Sequence, residues 1–196
     1  MTSAPDRNPP RQRADAARNR EALLQVATEV FARSQTEPSM RAIAREAGVG
    51  VATLYRHFPT REALVDAVYQ DQVRRLTAGA TELVASLPPA EALRRWMDLF
   101  AAWMATKNGM LSTLAAMIDA DQIVHADTRD ELLAAIDTIL RAGVEAGDIR
   151  ADAGAEDVAA GLISILTVTG PPASNPQAVR LLDLLHDGLT ARATGR

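Results

Sequence analysis

Residues 39–61, SMRAIAREAGVGVATLYRHFPTR, limit the possible folds more than any other stretch, because a glycine-containing corner separates two short apolar stripes there. Ser39 suits the cap of a first helix, and Ile43, Ala44 and Ala47 fall at i, i+1 and i+4, a face that has to be buried against a neighbouring helix. Gly48 stops that helix. The turn Ala47-Gly48-Val49-Gly50 requires a residue that accepts left-handed backbone, and Val49 is apolar enough to plug the angle between the two helices. A second helix over residues 51–58 directs Leu54 and Phe58 inward and leaves Thr53, Arg56 and His57 outside. Hydroxyl, guanidinium and imidazole groups on one exposed face suit phosphates and base edges, so the segment reads as a helix-turn-helix that meets DNA.

The surrounding chain has the same helical period. Leu23, Leu24, Ala27, Val30 and Phe31 predict a supporting helix that begins near Arg18. Before it, Pro5, Pro9 and Pro10 alternate with Arg7, Arg11 and Arg13, which predicts an unfolded basic arm whose arginines, with Arg18, reach a minor groove or serve as a spacer. Thr60 and Glu62 open a fourth helix that runs to about Ser86. Pro88-Pro89, Asn108-Gly109, Gly147-Asp148, Gly170-Pro171-Pro172 and Asn175-Pro176 then divide the rest into helices over about 91–106, 110–118, 129–146, 155–169 and 177–192. No segment holds a strand-like alternation, so the expected fold is all-α. Its expected parts are an arm (1–16), a helix-turn-helix domain (17–62) and a helical-bundle domain for ligand binding and dimerisation (63–196).

Charge divides along the same line. The chain carries a formal −4, but residues 1–61 hold ten Lys/Arg against six Asp/Glu, and residues 62–196 hold eleven against nineteen. A head at +4 displaces counterions from phosphates, while a body at −8 is repelled, which orients the molecule on DNA. Cysteine is absent, so disulfides and thiolate metal sites are excluded. The longest apolar runs are too short to span a bilayer and the first twelve residues do not resemble a signal peptide, so a cytoplasmic protein without membrane partners is expected.

Ile43-Ala44, Gly48-Val49, Thr53-Leu54-Tyr55-Arg56-His57-Phe58 and Arg61 together resemble the TetR family of transcriptional regulators, residue by residue over about twenty positions. Two departures stand out. Ser34-Gln35-Thr36-Glu37-Pro38 lies where the family often has a glycine, and Arg61 stands where lysine is common. The resemblance implies a homodimeric regulator, a repressor, which binds a palindromic double-stranded operator and is released by an unknown small-molecule effector.

Candidate DNA contacts are Arg41, Val51, Thr53, Tyr55, Arg56, His57 and Arg61. Tyr55 and His57 offer neutral donors to phosphate, Thr53 and Arg56 can meet bases, and Arg61 keeps the cation expected at a phosphate. Arg45 reads as solvated or paired with Glu46. In the body, Trp96, Phe100, Trp103, Met104, Met110 and Met117 are candidates for an effector pocket; their helical spacing favours core packing, and the resemblance implies that some also line a cavity. Leu162, Ile165, Leu166, Leu182, Leu185 and Leu189 form apolar faces that suit internal packing or a four-helix subunit interface equally, and the resemblance favours the interface. No cofactor and no metal site is expected. An enzyme finds little support, because His57, His125 and His186 are widely separated and no phosphate-binding loop or nucleophile elbow occurs. His125 near Asp119, Asp121 and Asp127 matches no ligand spacing. A DNA-binding architectural protein without an effector is the remaining alternative.

Overall fold

A computed structural model describes residues 10–34, 36–120 and 127–190. Nine helices occur among them: α1 (Pro10–Arg33), α2 (Met40–Glu46), α3 (Val51–His57), α4 (Arg61–Ser86), α5 (Pro89–Asn108), α6 (Leu111–Asp119), α7 (Thr128–Ala146), α8 (Ala155–Thr169) and α9 (Pro176–Leu189). The fold is all-α, and the described residues contain no strand, only an isolated bridge between Ile149 and Thr190. That bridge corrects the last helix, which stops at Leu189: Thr190 turns to extended backbone, and the Arg150 amide donates to the Leu189 carbonyl at 2.9 Å.

Helix α1 also starts earlier than the prolines suggested. Pro10 opens it, since proline at a first helical position loses no helical hydrogen bond, and the following Arg-Gln-Arg-Ala-Asp-Ala-Ala run has good helix propensity. Arg11 and Arg13 therefore belong to α1 and not to an arm. The part of the expected arm before Pro10, with Arg7, lies outside the described residues.

Two buried clusters share the chain. The head core gathers Leu24, Ala27 and Phe31 from α1, Ile43 and Ala44 from α2, Leu54 from α3 and Phe58 after it. It also takes Leu64, Val65 and Val68 from the start of α4, and Met110, Leu114 and Met117 at α6. The body core begins at Leu76 and Ala80, further along α4, and continues through α5, α7, α8 and α9. Helix α4, 26 residues and about 39 Å long, thus threads both. Packing does not change hands at residue 62, because α6 returns from the body to complete the head.

A glycine allows that return. Gly109, at the corner between α5 and α6, lies so close to α1 that a Cβ there would stand 2.0 Å from the Phe31 carbonyl oxygen. Only a residue without a side chain fits the corner.

Candidate nucleic-acid interface

The helix-turn-helix forms from short-range rules. The Ser39 hydroxyl accepts from the Ala42 amide at 3.2 Å, as an N-cap should. Gly48 adopts φ 66, the left-handed conformation that ends α2, and Val49 packs partly buried against the head core. Leu54 and Phe58 are completely or almost completely buried, which fixes the roll of α3 and decides which side chains face out. Burial of each contributes about 1.5–3 kcal/mol.

On the outer face, Tyr55 is 44% exposed and Arg56 and Arg41 are exposed. Arg56 is held along its own helix by donating to the Thr53 hydroxyl at 2.8 Å, so a hydroxyl and a guanidinium reach solvent as a pair. Thr53 and His57, both half-buried, border a groove shared with Asn19 and Ala22 of α1. Val51 is partly buried against the head core, which leaves only part of its side chain outward. Arg45 is exposed, and Glu46 pairs with Arg33 of α1 in its place. Arg18 is exposed and pairs with Asp15 on its own helix.

Arg61 differs from the others. Its guanidinium is only partly exposed and is engaged within the protein. It donates to Glu37 Oε1 through Nη2 at 2.7 Å and Nε at 3.2 Å, to the Pro38 carbonyl at 2.7 Å and to the Thr113 hydroxyl at 2.9 Å. Thr113 in turn donates its hydroxyl and its amide to Glu37. Burial pushes the Glu37 carboxyl up, but the Thr113 hydroxyl and the Arg61 guanidinium outweigh it and hold the group below its ordinary value of 4.5. The Glu37-Pro38 loop, which departs from the glycine common in the family, thus supplies the anion that joins α4 and α6. Sequence reasoning missed Glu37 and Thr113, which are 76 residues apart.

The body holds a cavity of about 480 Å³ between α4, α5, α7 and α8. Phe100 and Trp103 line it. Trp96 does not: it is fully buried and its indole N–H donates to the Leu76 carbonyl at 2.9 Å. Met104 belongs to the body core, and Met110 and Met117 belong to the head core, because the Gly109 corner turns α6 away from the bundle. The remaining wall comes from residues the sequence did not single out, among them Tyr69, Lys107, Leu132, Ile136 and Ala159.

The leucines of the candidate subunit face pack inside the chain. Leu162, Leu166, Leu182 and Leu189 are buried within this one chain, and Ile165 and Leu185 pack against the same core. The apolar residues left outward on α8 and α9 are others, including Val168 at 84% and Leu184 at 66% exposure. Helical stripes of similar leucines gave no means of telling the two faces apart. No group of three or more potential metal-ligating side chains occurs among the described residues, and His125 and Asp121 lie outside them. No described helix is long and apolar enough to cross a membrane.

Residues 23–68 match the model of bacterial regulatory proteins of the tetR family. Residues 88–191, more than half of the chain, match that of the C-terminal domain of SbtR-like transcriptional regulators. A solved TetR transcriptional regulator from Streptomyces coelicolor is 41% identical, covering 89% of this chain and 99% of its own, with a TM-score of 0.79. The chain belongs to the TetR family. A second TetR-family structure, from Mycobacterium vanbaalenii, is 35% identical over 91% of this chain and 98% of its own, with a TM-score of 0.68. The HTH-type transcriptional regulator LuxR of Vibrio harveyi is 42% identical over 69 residues, 35% of this chain and about a third (34%) of that relative. As a TetR-family member the chain is a DNA-binding transcriptional regulator, and α2 and α3 are its helix-turn-helix.

Proposed function

We propose that this regulator is a homodimeric repressor that inserts α3 of each subunit into successive major grooves of a palindromic operator. The observation that carries the reading is the outer face of α3, where exposed Tyr55 and Arg56 and half-buried Thr53 and His57 lie away from the buried Leu54 and Phe58. Tyr55 and His57 donate to phosphates and fix the register, and the Arg56-Thr53 pair meets base edges. Arg41 adds a phosphate contact from α2. Arg61 is committed mainly to Glu37, Pro38 and Thr113, and serves the interface chiefly by tying the start of α4 to the rest of the head.

Two subunits join through the outward sides of α8 and α9, where Val168 and Leu184 would otherwise leave apolar surface in water. Heads about 34–36 Å apart, one helical turn of DNA, then meet two half-sites on one side of the duplex. The cavity holds a small-molecule effector that favours a different spacing of the heads. By linkage, operator binding weakens ligand binding by the same factor as ligand weakens operator binding. Helix α4 and the Glu37-Arg61-Thr113 network are the physical connection, since one crosses both cores and the other ties the head to α6. Selection of bound fragments from the source genome tests the reading. A shared palindrome with half-sites one helical turn or slightly more apart is expected, and fragments without a common motif would contradict it.

A further inference from the structure

The cavity between α4, α5, α7 and α8 has a size suited to a small organic ligand and walls that are mostly apolar. Three charged side chains reach it. Arg129 and Glu156 satisfy each other at 2.8 Å, so their charges cancel. Lys107 is left over. It is half-buried, makes no ion pair with a carboxylate among the described residues, and has its Nζ 5.2 Å from the centre of the Trp103 ring. Burial pushes its ammonium below the usual lysine value, as expected of a cation without a counter-charge. A lysine in the last turn of α5 complements the helix dipole, but that role needs no burial. One turn earlier, Trp103 forms part of the same wall, and its buried indole N–H has no acceptor among the described residues. The wall therefore carries one uncompensated positive charge and an unused donor, with aromatic and aliphatic surface beside them.

Resting on the reading of this cavity as the effector site, we propose that it binds an amphiphilic monoanion, with a carboxylate on Lys107 and an apolar body against Phe100, Trp103, Leu132 and Ile136. An opposite charge gains most where the cation is already partly desolvated, so a neutral acceptor of the same shape binds less well. A second negative charge is disfavoured. Arg129 is already used by Glu156, and the adjoining cavity on Tyr69 and Thr128 carries Asp127 and Glu131 beside Arg74.

Calorimetric titration of the full chain with naphthoate and with its neutral isostere naphthamide, near neutral pH, tests the assignment. Naphthoate should bind roughly tenfold or more tightly than naphthamide, the scale of a hydrogen bond to a charged group. Lys107→Met, which keeps the length and apolar stem, should abolish that preference, and Lys107→Arg should keep it. Equal affinities in the unaltered chain, an unchanged preference in Lys107→Met, or no binding of either probe would overturn the proposal. Operator release is read separately with labelled DNA. Lys107-dependent naphthoate binding that leaves operator affinity unchanged supports the ligand class and sinks the effector reading alone.

Discussion

Glu37→Ala removes the anion at the centre of the network between the head and α6. In the intact chain the carboxylate accepts from Arg61 Nη2 at 2.7 Å, from Arg61 Nε at 3.2 Å, from the Thr113 amide at 3.3 Å and from the Thr113 hydroxyl. Two of these, from Arg61 Nη2 and from the Thr113 hydroxyl, are short bonds to a charged group, a class that contributes about 1.5–3 kcal/mol each, and the two long ones add little. Loss of a fully buried partner costs about 3–5 kcal/mol, but that ceiling does not apply. The Arg61 side chain is 25% exposed and keeps the Pro38 carbonyl and the Thr113 hydroxyl, so water and those acceptors repair part of the damage. The expected loss is about 2–3 kcal/mol, which in a chain of this size lowers Tm by about 4–12 °C. Calorimetry or urea unfolding of the variant measures it, with Arg141→Ala as a control whose ion pair to Asp137 is exposed on both sides. The double-mutant cycle with Arg61→Ala should return a coupling of about 1–2 kcal/mol. A Glu37→Ala stability within about 0.5 kcal/mol of the unaltered chain, the range of ordinary surface changes, would refute the reasoning.

The same group predicts a pH dependence. Because the folded-state value for Glu37 lies below its ordinary 4.5, its contribution is fully present above that pH and disappears as pH falls through the lower folded value. The stability gap between the unaltered chain and Glu37→Ala should therefore narrow below about pH 4.5, and a gap that widens there contradicts the assignment. Gly109→Ala forces a methyl to within 2.0 Å of the Phe31 carbonyl oxygen, so the α5 to α6 corner has to move; a loss above about 2 kcal/mol in urea unfolding is expected, and a neutral result would show that the corner is loose. Leu184→Glu with Val168→Glu sets charges on the outward faces of α8 and α9 without touching the buried Leu162 or Leu182. Light scattering should then report a folded monomer, whereas an unchanged dimer would move the interface elsewhere.

What was legible in the sequence was local. Ser39, Gly48, Leu54 and Phe58 act within one or two turns of themselves, so capping, backbone handedness and helical period were sufficient to predict the helix-turn-helix and its outward face. The protein partners of Arg61 were not legible because they are distant: a cation just after the motif has the same local signature whether or not it also meets Glu37 and Thr113. Met110 and Met117 have the spacing of a body core residue, and only the close approach of Gly109 to Phe31 sends them to the head. Lys107 carries no local signal beyond its place near a helix end, and its isolation depends on side chains from α4, α7 and α8. For α8 and α9 the leucine stripes marked what is buried inside the chain, and the apolar surface left outward is the sparser set with Val168 and Leu184.

The central claim is that the outer face of α3 holds DNA. The most direct test is the affinity of Tyr55→Ala/His57→Ala for its selected operator, measured across a range of salt concentrations beside the unaltered chain. Both residues leave Leu54 and Phe58 in place, so the helix keeps its roll. The account predicts weaker binding to all sequences at every salt concentration, with a similar loss on non-specific DNA, whereas Arg56→Ala should mainly relax base preference. A double variant that folds and binds operator as tightly as the unaltered chain, with the same salt dependence, would contradict it.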